Sequence, residues 1–263
     1  MSSPVSRIES RQNPQYKLWK KYVTHPEKED CPWIPIEGWK QTQDLSTQLP
    51  IELLLFSEGA EPDIKDLRSR STECFQLAPA LFESLSTLDS SQQILAFFEK
   101  PSWNWKDLTS QVLYLSELQD PGNLGTLLRT ARATGIFSVA TSPHTVSCFN
   151  SKVVRASAAS LFSVPFLEGI EAGELKSRGY HLWATTPQGG KPLFEAHFES
   201  PLAIAIGNEG RGLSPAVLSL ADHHLHIPMQ PQVESLNAAV AGSLVLYEVF
   251  RQVEEKAGGT RLR

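Results

Sequence analysis

The second half of the chain is punctuated by short runs dominated by apolar residues, at 112–115, 137–140, 181–185, 202–206 and 225–228, with 112–115 and 202–206 unbroken. A strand with one wet face alternates apolar and polar residues, whereas a strand covered on both faces does not. Unbroken runs alternating with helical stretches are therefore the pattern of a parallel sheet in an α/β protein. The intervening helices are expected at 123–134, where Leu124, Leu127, Leu128 and Ala131 share a face, at 151–162, and at 237–254. The first 100 residues show the same alternation more weakly, with strands expected at 33–36, 51–56, 74–77 and 94–98 and helices at 39–47, 63–70 and 79–85. A further helix is expected over 13–23. Asn13 and Pro14 suit its start, and Tyr16, Trp19, Tyr22 and Val23 recur at helical spacing. The expected organisation is an N-terminal α/β domain over 1–100, a linker over 101–110 that is polar and contains Pro101, a parallel-sheet domain over 111–256, and a flexible tail over 257–263.

Composition narrows the class. Apolar residues make up 41% of the 263 and charged residues 20%, which fits a globular chain and not a disordered one. No apolar run approaches the roughly 20 residues that span a bilayer, so no membrane partner is expected, and the first residues lack the apolar segment of a secretory signal. Cys31, Cys74 and Cys148 are odd in number and far apart, with no paired spacing. This argues against a disulfide framework and a structural zinc, and a reducing, cytoplasmic compartment is expected. His223, His224 and His226 cluster without a fourth ligand at zinc spacing, so no metal is expected.

The net charge of −5 is unevenly spread. Residues 1–23 hold five basic side chains (Arg7, Arg11, Lys17, Lys20 and Lys21) against Glu9, whereas residues 24–110 hold seven basic and fifteen acidic ones. The basic start is the best candidate for a nucleic-acid surface; a solvated helix face explains it equally well. In the last expected helix, Ala238 to Phe250 places apolar side chains around most of the circumference. Burial on nearly all sides is expected, with a partner subunit covering the face that a single sheet leaves wet.

Three polar stretches follow expected strands, where ligands bind in open α/β sheets. The first runs from Glu117 to Arg129, with a tight Asp120-Pro121-Gly122 turn, Asn123 and Gly125. The second, Gly207-Asn208-Glu209-Gly210-Arg211-Gly212, has neither the spacing of a dinucleotide fingerprint nor the Lys-Ser/Thr of a P-loop. Its glycines suit a loop that wraps a flat ligand, or a plain turn. The third is Ile227-Pro228-Met229 followed by Ser235-Leu236-Asn237, where Ser235 or Asn237 also reads as a helix N-cap.

In order and spacing these stretches resemble the three motifs of the SpoU (TrmH) branch of the SPOUT methyltransferases: Asp120-Pro121, Asn123, Gly125 and Arg129; then Gly207, Glu209, Gly210 and Gly212; then Ile227 to Met229, Ser235 to Asn237 and Ala241. Lys152, Arg155, Ser157 and Pro165 match a further family segment, with Ala159 where glycine is commoner. The first half is similar to the family's N-terminal substrate-binding domain, which is like small ribosomal RNA-binding proteins, through Ser10 to Lys17 and Ile36-Glu37-Gly38. It lacks the arginine common shortly before Glu-Gly and carries an acidic 25–32 stretch with only Lys28.

The resemblance implies transfer of a methyl group from S-adenosylmethionine to a ribose 2′-hydroxyl of RNA, with rRNA favoured over tRNA, on a parallel sheet tied in a deep trefoil knot. It implies a catalytic set of Asn123, Arg129, Glu209, Ser235 and Asn237. The cofactor would be held at Thr185, Gly207, Gly210, Ile227, Met229 and Leu236, largely through backbone groups. RNA contacts are expected at Arg11, Lys17, Lys20, Lys21 and Arg155, and the protein is expected to be a homodimer. An inactive RNA-binding or ribosome-assembly protein on the same fold is the alternative. Retention of the five polar residues speaks against that alternative. A nucleotide-dependent oxidoreductase is disfavoured by the missing fingerprint.

Overall fold

The computed structural model describes residues 5–60, 64–88 and 90–258. It forms two compact units, Met1–Pro101 with Phe149–Ala159, and Ser102–Cys148 with Ser160–Arg263. Unit one runs β1 (Ser6–Ile8), α1 (Pro14–Thr24), β2 (Trp33–Glu37), α2 (Trp39–Ser46), β3 (Ile51–Ser57), α3 (Ile64–Ser69), β4 (Ser71–Leu77), α4 (Pro79–Leu85) and β5 (Ile94–Glu99). Among the described residues its sheet has the order β1-β4-β3-β5-β2, parallel on the β1-β4-β3 side and antiparallel through β5 and β2. α1 starts where the sequence expects it: Asn13 Oδ1 accepts from the backbone N–H groups of Gln15 and Tyr16, and Pro14 occupies the first turn. Its Tyr16, Trp19, Tyr22 and Val23 are buried in one core with Leu53, Leu55, Phe75 and Phe97.

Unit two runs β6 (Gln111–Leu115), α5 (Pro121–Thr134), β7 (Phe137–Thr141), then, after α6 (Ser151–Ala156), β8 (Phe166–Leu167), α7 (Ala172–Ser177), β9 (His181–Thr185), β10 (Lys191–Pro192), β11 (Leu202–Ile206), α8 (Pro215–Leu220), β12 (His223–His226) and α9 (Ala238–Lys256). Among the described residues its sheet has the order β10-β12-β9-β11-β6-β7-β8, and every pairing is parallel. β6, β7 and β11 are buried at every position, the reason for their mainly apolar composition. α5 is capped at its start by Asp120, whose carboxylate accepts from Asn123 N at 2.8 Å, and stopped by Gly135 at φ 68°. α9 lies close against α5. A Cβ added at Gly242 would stand 2.5 Å from Leu127 Cδ2, and the hydroxyls of Thr130 and Ser243 are 3.0 Å apart.

Four expectations are corrected by the backbone and its packing. The helix expected over 151–162 ends at Ala156. Ala158 (φ 46°) and Ala159 (φ 65°) are left-handed, which a right-handed helix cannot continue, and a separate 3-10 turn follows at Ser160–Phe162. The last strand lies at His223–His226 and not at 225–228. Its histidines are tolerated there because His223 stacks on Trp183, with ring centroids 4.3 Å apart, while Ile227 and Pro228 leave the sheet. The 101–110 stretch is no free linker: Trp105 and Leu108 pack on the second core, and Arg178 stacks on the Trp105 ring at 3.7 Å. α6, which lies in sequence between two strands of unit two, packs on β2 within unit one. Of the expected tail, residues 259–263 lie outside the described ones. β1, β8, β10, α7 and α8 are too short to leave a period in the sequence.

Candidate functional site

The chain builds β6, β7 and β8 outward in one direction, then returns to place β9 and β11 on the other side of β6. The β6–β11 boundary is thus the point where the strand order reverses, which is where an open parallel sheet leaves a crevice beyond its strand ends. Leu115 and Ile206 end their strands in register, and Ser116 N donates to Ile206 O at 2.9 Å. The stretch after β6 and the glycine loop after β11 therefore emerge side by side.

They are joined by side chains. Glu209 accepts from Asn123 Nδ2 at 2.9 Å, from the backbone N–H of Asp120 at 3.2 Å and from that of Gln119 at 3.5 Å. Asn123 Oδ1 accepts from Asn237 Nδ2 at 2.9 Å, and Asn237 Oδ1 caps α9 by accepting from Ala239 N and Val240 N. One continuous hydrogen-bonded chain, Glu209–Asn123–Asn237–α9, thus links the three motifs. Partial burial pushes the Glu209 carboxyl up, but the bonds from Asn123 and from the backbone of Asp120 and Gln119 outweigh it and hold the group below the usual carboxylate range. Glu209 is an acceptor at neutral pH, which fixes the amide of Asn123 as donor toward it and acceptor toward Asn237.

Beside this chain is a cavity of about 450 Å³. Thr185, Gly207, Gly210, Ile227, Met229, Ser235 and Leu236 all line it, together with Ile206, Glu209, Arg211, Leu213 and Leu218. Gly207 is required by close approach, because a Cβ there would stand 2.2–2.5 Å from backbone atoms of Gly212 and Leu213. The loop folds back on itself through an Asn208–Gly212 bridge, whose N···O distances are 3.1 and 2.9 Å. The Thr185 hydroxyl donates to Ala205 O at 2.8 Å, so this residue faces the cavity with its polar atom already engaged. Apolar walls and a glycine-rich backbone rim, at a volume within the small-molecule range, suit a flat aromatic ring bound through main-chain groups, as the adenine of S-adenosylmethionine would be.

Arg129 is not among the residues that line this cavity. It is exposed on α5 and has no hydrogen-bond or ion-pair partner among the described residues. One turn earlier on the same flank, Thr126 lines a groove of about 480 Å³ with Asn123, Asn237, Val240, Ser243, Leu244 and Tyr247. Val240, Leu244 and Tyr247 are 49%, 43% and 51% exposed. The near-complete burial expected of the last helix is therefore not reached within one chain, because α5 and the sheet cover only its Gly242, Val245, Leu246 and Val249 side.

The basic residues are placed differently. Lys21 is ion-paired with Asp30, Lys17 donates to Gln12 Oε1 at 2.7 Å, and Arg155 donates to Thr87 O at 2.9 Å within unit one. Arg11 and Lys20 are exposed. His226 Nδ1 is 3.0 Å from Gly189 O. Among the described residues no group of three or more His, Cys, Asp or Glu is arranged to hold a metal ion, and no helix is long and apolar enough to cross a membrane. The cysteines are free and buried. Asp120, expected as a turn residue, also caps α5, and Asn208, which stands two residues before a loop glycine, closes a turn with its side chain, a role not among the expected ones.

A parallel α/β sheet with a glycine-rimmed cavity at its switch point, flanked by a carboxylate–amide chain, defines an enzyme that binds a nucleoside-like cofactor at its strand ends. Residues 110–247 match the SpoU rRNA Methylase family. Over 250 residues the chain is 32% identical to the 23S rRNA (guanosine(2553)-2′-O)-methyltransferase RlmP of Bacillus subtilis (strain 168), covering 93% of this chain and 99% of that one. It superposes with a TM-score of 0.79 on a crystal structure of an RNA 2′-O ribose methyltransferase, at 30% identity over 94% of this chain and 99% of that chain. It also superposes with a TM-score of 0.79 on the SpoU methyltransferase AviRb from Streptomyces viridochromogenes in complex with AdoMet, at 27% identity over 92% and 98% of the two chains. The chain belongs to the SpoU rRNA methylase family. It is an RNA ribose 2′-O-methyltransferase, and its methyl donor is S-adenosylmethionine.

Proposed function

We propose that the enzyme methylates a single ribose in large-subunit ribosomal RNA, with the cavity at the β6–β11 boundary holding the donor and the Glu209–Asn123–Asn237 chain fixing the acceptor side. The carrying observation is that chain, which joins residues far apart in sequence along the wall of one cavity. The near full-length similarity to an enzyme named for 23S rRNA supports the substrate class.

S-adenosylmethionine, when bound, supplies an electrophilic methyl on a sulfonium, from which a neutral thioether departs without assistance. The protein's work is alignment and removal of the 2′-hydroxyl proton, and alignment alone contributes roughly 7–11 kcal/mol in favourable cases. Thr185, Gly207, Gly210, Ile227, Met229 and Leu236, which line the cavity, would hold the donor, with Ser235 beside them. Glu209, kept ionised, fixes Asn123, and Asn237 fixes it from α9. A guanidinium stays protonated at neutral pH and is a poor base. Arg129 therefore anchors the RNA phosphate and polarises the 2′-hydroxyl, whose proton is released to solvent as the new O–C bond forms and the methyl–sulfur bond breaks.

Arg129 does this in the cavity of a second copy. The exposed Val240, Leu244 and Tyr247 stripe, with Arg129 on the flank of the same groove, supports a homodimer in which each chain completes the other's site. The insertion of β11 between β6 and β9 and the return of α9 to α5 are consistent with a C-terminal trefoil knot. Unit one serves as the RNA-binding unit, with the exposed Arg11 and Lys20 contacting RNA and Lys17, Lys21 and Arg155 supporting them. Three buried thiols suit a reducing cytoplasm.

Mapping 2′-O-methylation across total RNA with and without the gene tests the substrate. One lost site in 23S rRNA is expected, and an unchanged rRNA map with a lost tRNA site would reject it. Mixing an Arg129→Ala chain with a Gly207→Ala chain tests the shared site: activity recovered in the mixture supports it, and none refutes it. Light scattering at micromolar concentration should give twice the chain mass.

A further inference from the structure

Asn208 sits between the strand β11 and the site residue Glu209, and its side chain makes bonds in two directions. Oδ1 accepts from the backbone N–H of Gly210 at 3.0 Å and of Arg211 at 3.1 Å, closing the glycine loop internally. Nδ2 donates to Glu117 O at 2.9 Å, across to the turn after β6. That turn is held in an unusual shape. Glu117 has φ 55°, a left-handed conformation that disfavours a residue with a side chain. Its N–H is tied to Ser142 Oγ at 2.8 Å, and its carbonyl also accepts from Gln119 Nε2 at 3.2 Å. The same turn presents the Gln119 and Asp120 N–H groups to Glu209, and Asp120 caps Asn123.

We infer that Asn208 is a positioning residue: it latches the glycine loop to the Glu117 turn and thereby sets the alignment of Glu209 with Asn123. The inference rests on the methyltransferase reading of the site above. Neighbouring residues 208 and 209 grip one turn from two sides, the amide of Asn208 donating to its carbonyl and the carboxylate of Glu209 accepting from its N–H groups. The Asn123 Nδ2–Glu209 bond can keep its 2.9 Å only if loop and turn keep their spacing. Asparagine alone meets the requirement at this length. It offers an acceptor for the loop and a donor for the turn, whereas aspartate offers acceptors only and would face a carbonyl oxygen.

Aspartate therefore separates the two functions. In Asn208→Asp the loop retains its internal bonds and loses the latch. S-adenosylmethionine affinity, measured by calorimetry, should stay within about threefold of wild type, while single-turnover methyl transfer falls about 10–100-fold, the scale of a misaligned reacting geometry. Asn208→Ala removes both sets of bonds and should weaken donor affinity as well. Combining Asn208→Asp with Glu209→Gln should cost little more than the worse single change, since both act on one alignment.

Wild-type turnover in Asn208→Asp, equal loss of donor affinity and turnover, or fully additive losses in the double variant would each overturn the latch. If Asn208→Asp does not fold by circular dichroism, Asn208→Ser, which keeps an acceptor for the loop N–H groups and removes the amide that reaches the Glu117 carbonyl, is read by the same criteria. Failure of the wild-type chain itself to bind S-adenosylmethionine would count against the site reading and not against the latch.

Discussion

Both units alternate strands and helices, yet only one carries its chemistry in long-range bonds. In unit two, Glu209, Asn123 and Asn237 are tied across sequence separations of 86 and 114 residues, so the three motifs are conditions on one geometry. In unit one, the tied lysines of α1 are held close to home, with Lys17 bonded five residues back and Lys21 paired nine residues on. A motif whose parts are spread along the chain and meet at a strand-order reversal marks a site. A cluster of charge within one helix marks a surface, and its neighbours decide how much of that charge is available.

Removing a member of the dispersed site should therefore cost far more than removing a member of the local cluster. Arg129→Ala is expected to lower single-turnover methylation about 10²–10³-fold, the scale of losing one charge-stabilising group, with donor affinity nearly unchanged. A loss under fivefold would break the contrast. Arg11→Gln with Lys20→Gln should leave the chemical step intact and weaken RNA binding, reducing the slope of log affinity against log salt by about 1 per residue. An unchanged slope would remove unit one's basic start from the RNA interface.

A smaller effect is expected from Glu209. Its carboxyl lies below the usual range in the folded chain, so its contribution to stability is present above the ordinary value of 4.5 and is lost as pH falls through the lowered folded value. The melting-temperature gap between wild type and Glu209→Gln should be widest near neutrality and close in acid. A gap that widens in acid would reverse the assignment.

The smallest effect concerns the left-handed pair after α6. Ala158→Gly relieves a conformation that costs an L-residue about 1–2 kcal/mol and gives back roughly 0.4–1 kcal/mol in unfolded-chain entropy, a net gain of about 0.5 kcal/mol. Ala159→Gly also loses a buried methyl worth about 0.8 kcal/mol and should be near neutral. Scanning calorimetry on the pair separates them, with Ala158→Gly melting about 1–2 °C higher.

What the sequence disclosed follows the same division. Apolar runs announced β6 and β11 because burial on both faces leaves little polar alternation, and Asn13-Pro14 announced α1 because a cap and a proline are local signals. The three motifs stood out by residue type and spacing, and the structure brings Asn123, Glu209 and Asn237 of those motifs together. That Arg129 stands apart from its own chain's cavity was not, because helical periodicity places it on α5 but cannot say which cavity that flank serves. The break after Ala156 was also hidden, since Ala158 and Ala159 have helical propensity and are left-handed only through their surroundings. The same is true of α6, whose sequence position lies within one unit and whose packing lies in the other.

We assign the donor site to the glycine loop after β11 and the turns beside it. Titrating S-adenosylmethionine into wild type and Gly207→Ala by calorimetry probes this assignment, because the atoms nearest a Cβ at Gly207 are the loop's own backbone at 2.2–2.5 Å. One donor per chain is expected in wild type, with binding weakened at least tenfold in a folded Gly207→Ala. Equal binding by the two chains, or none by either, would contradict the account.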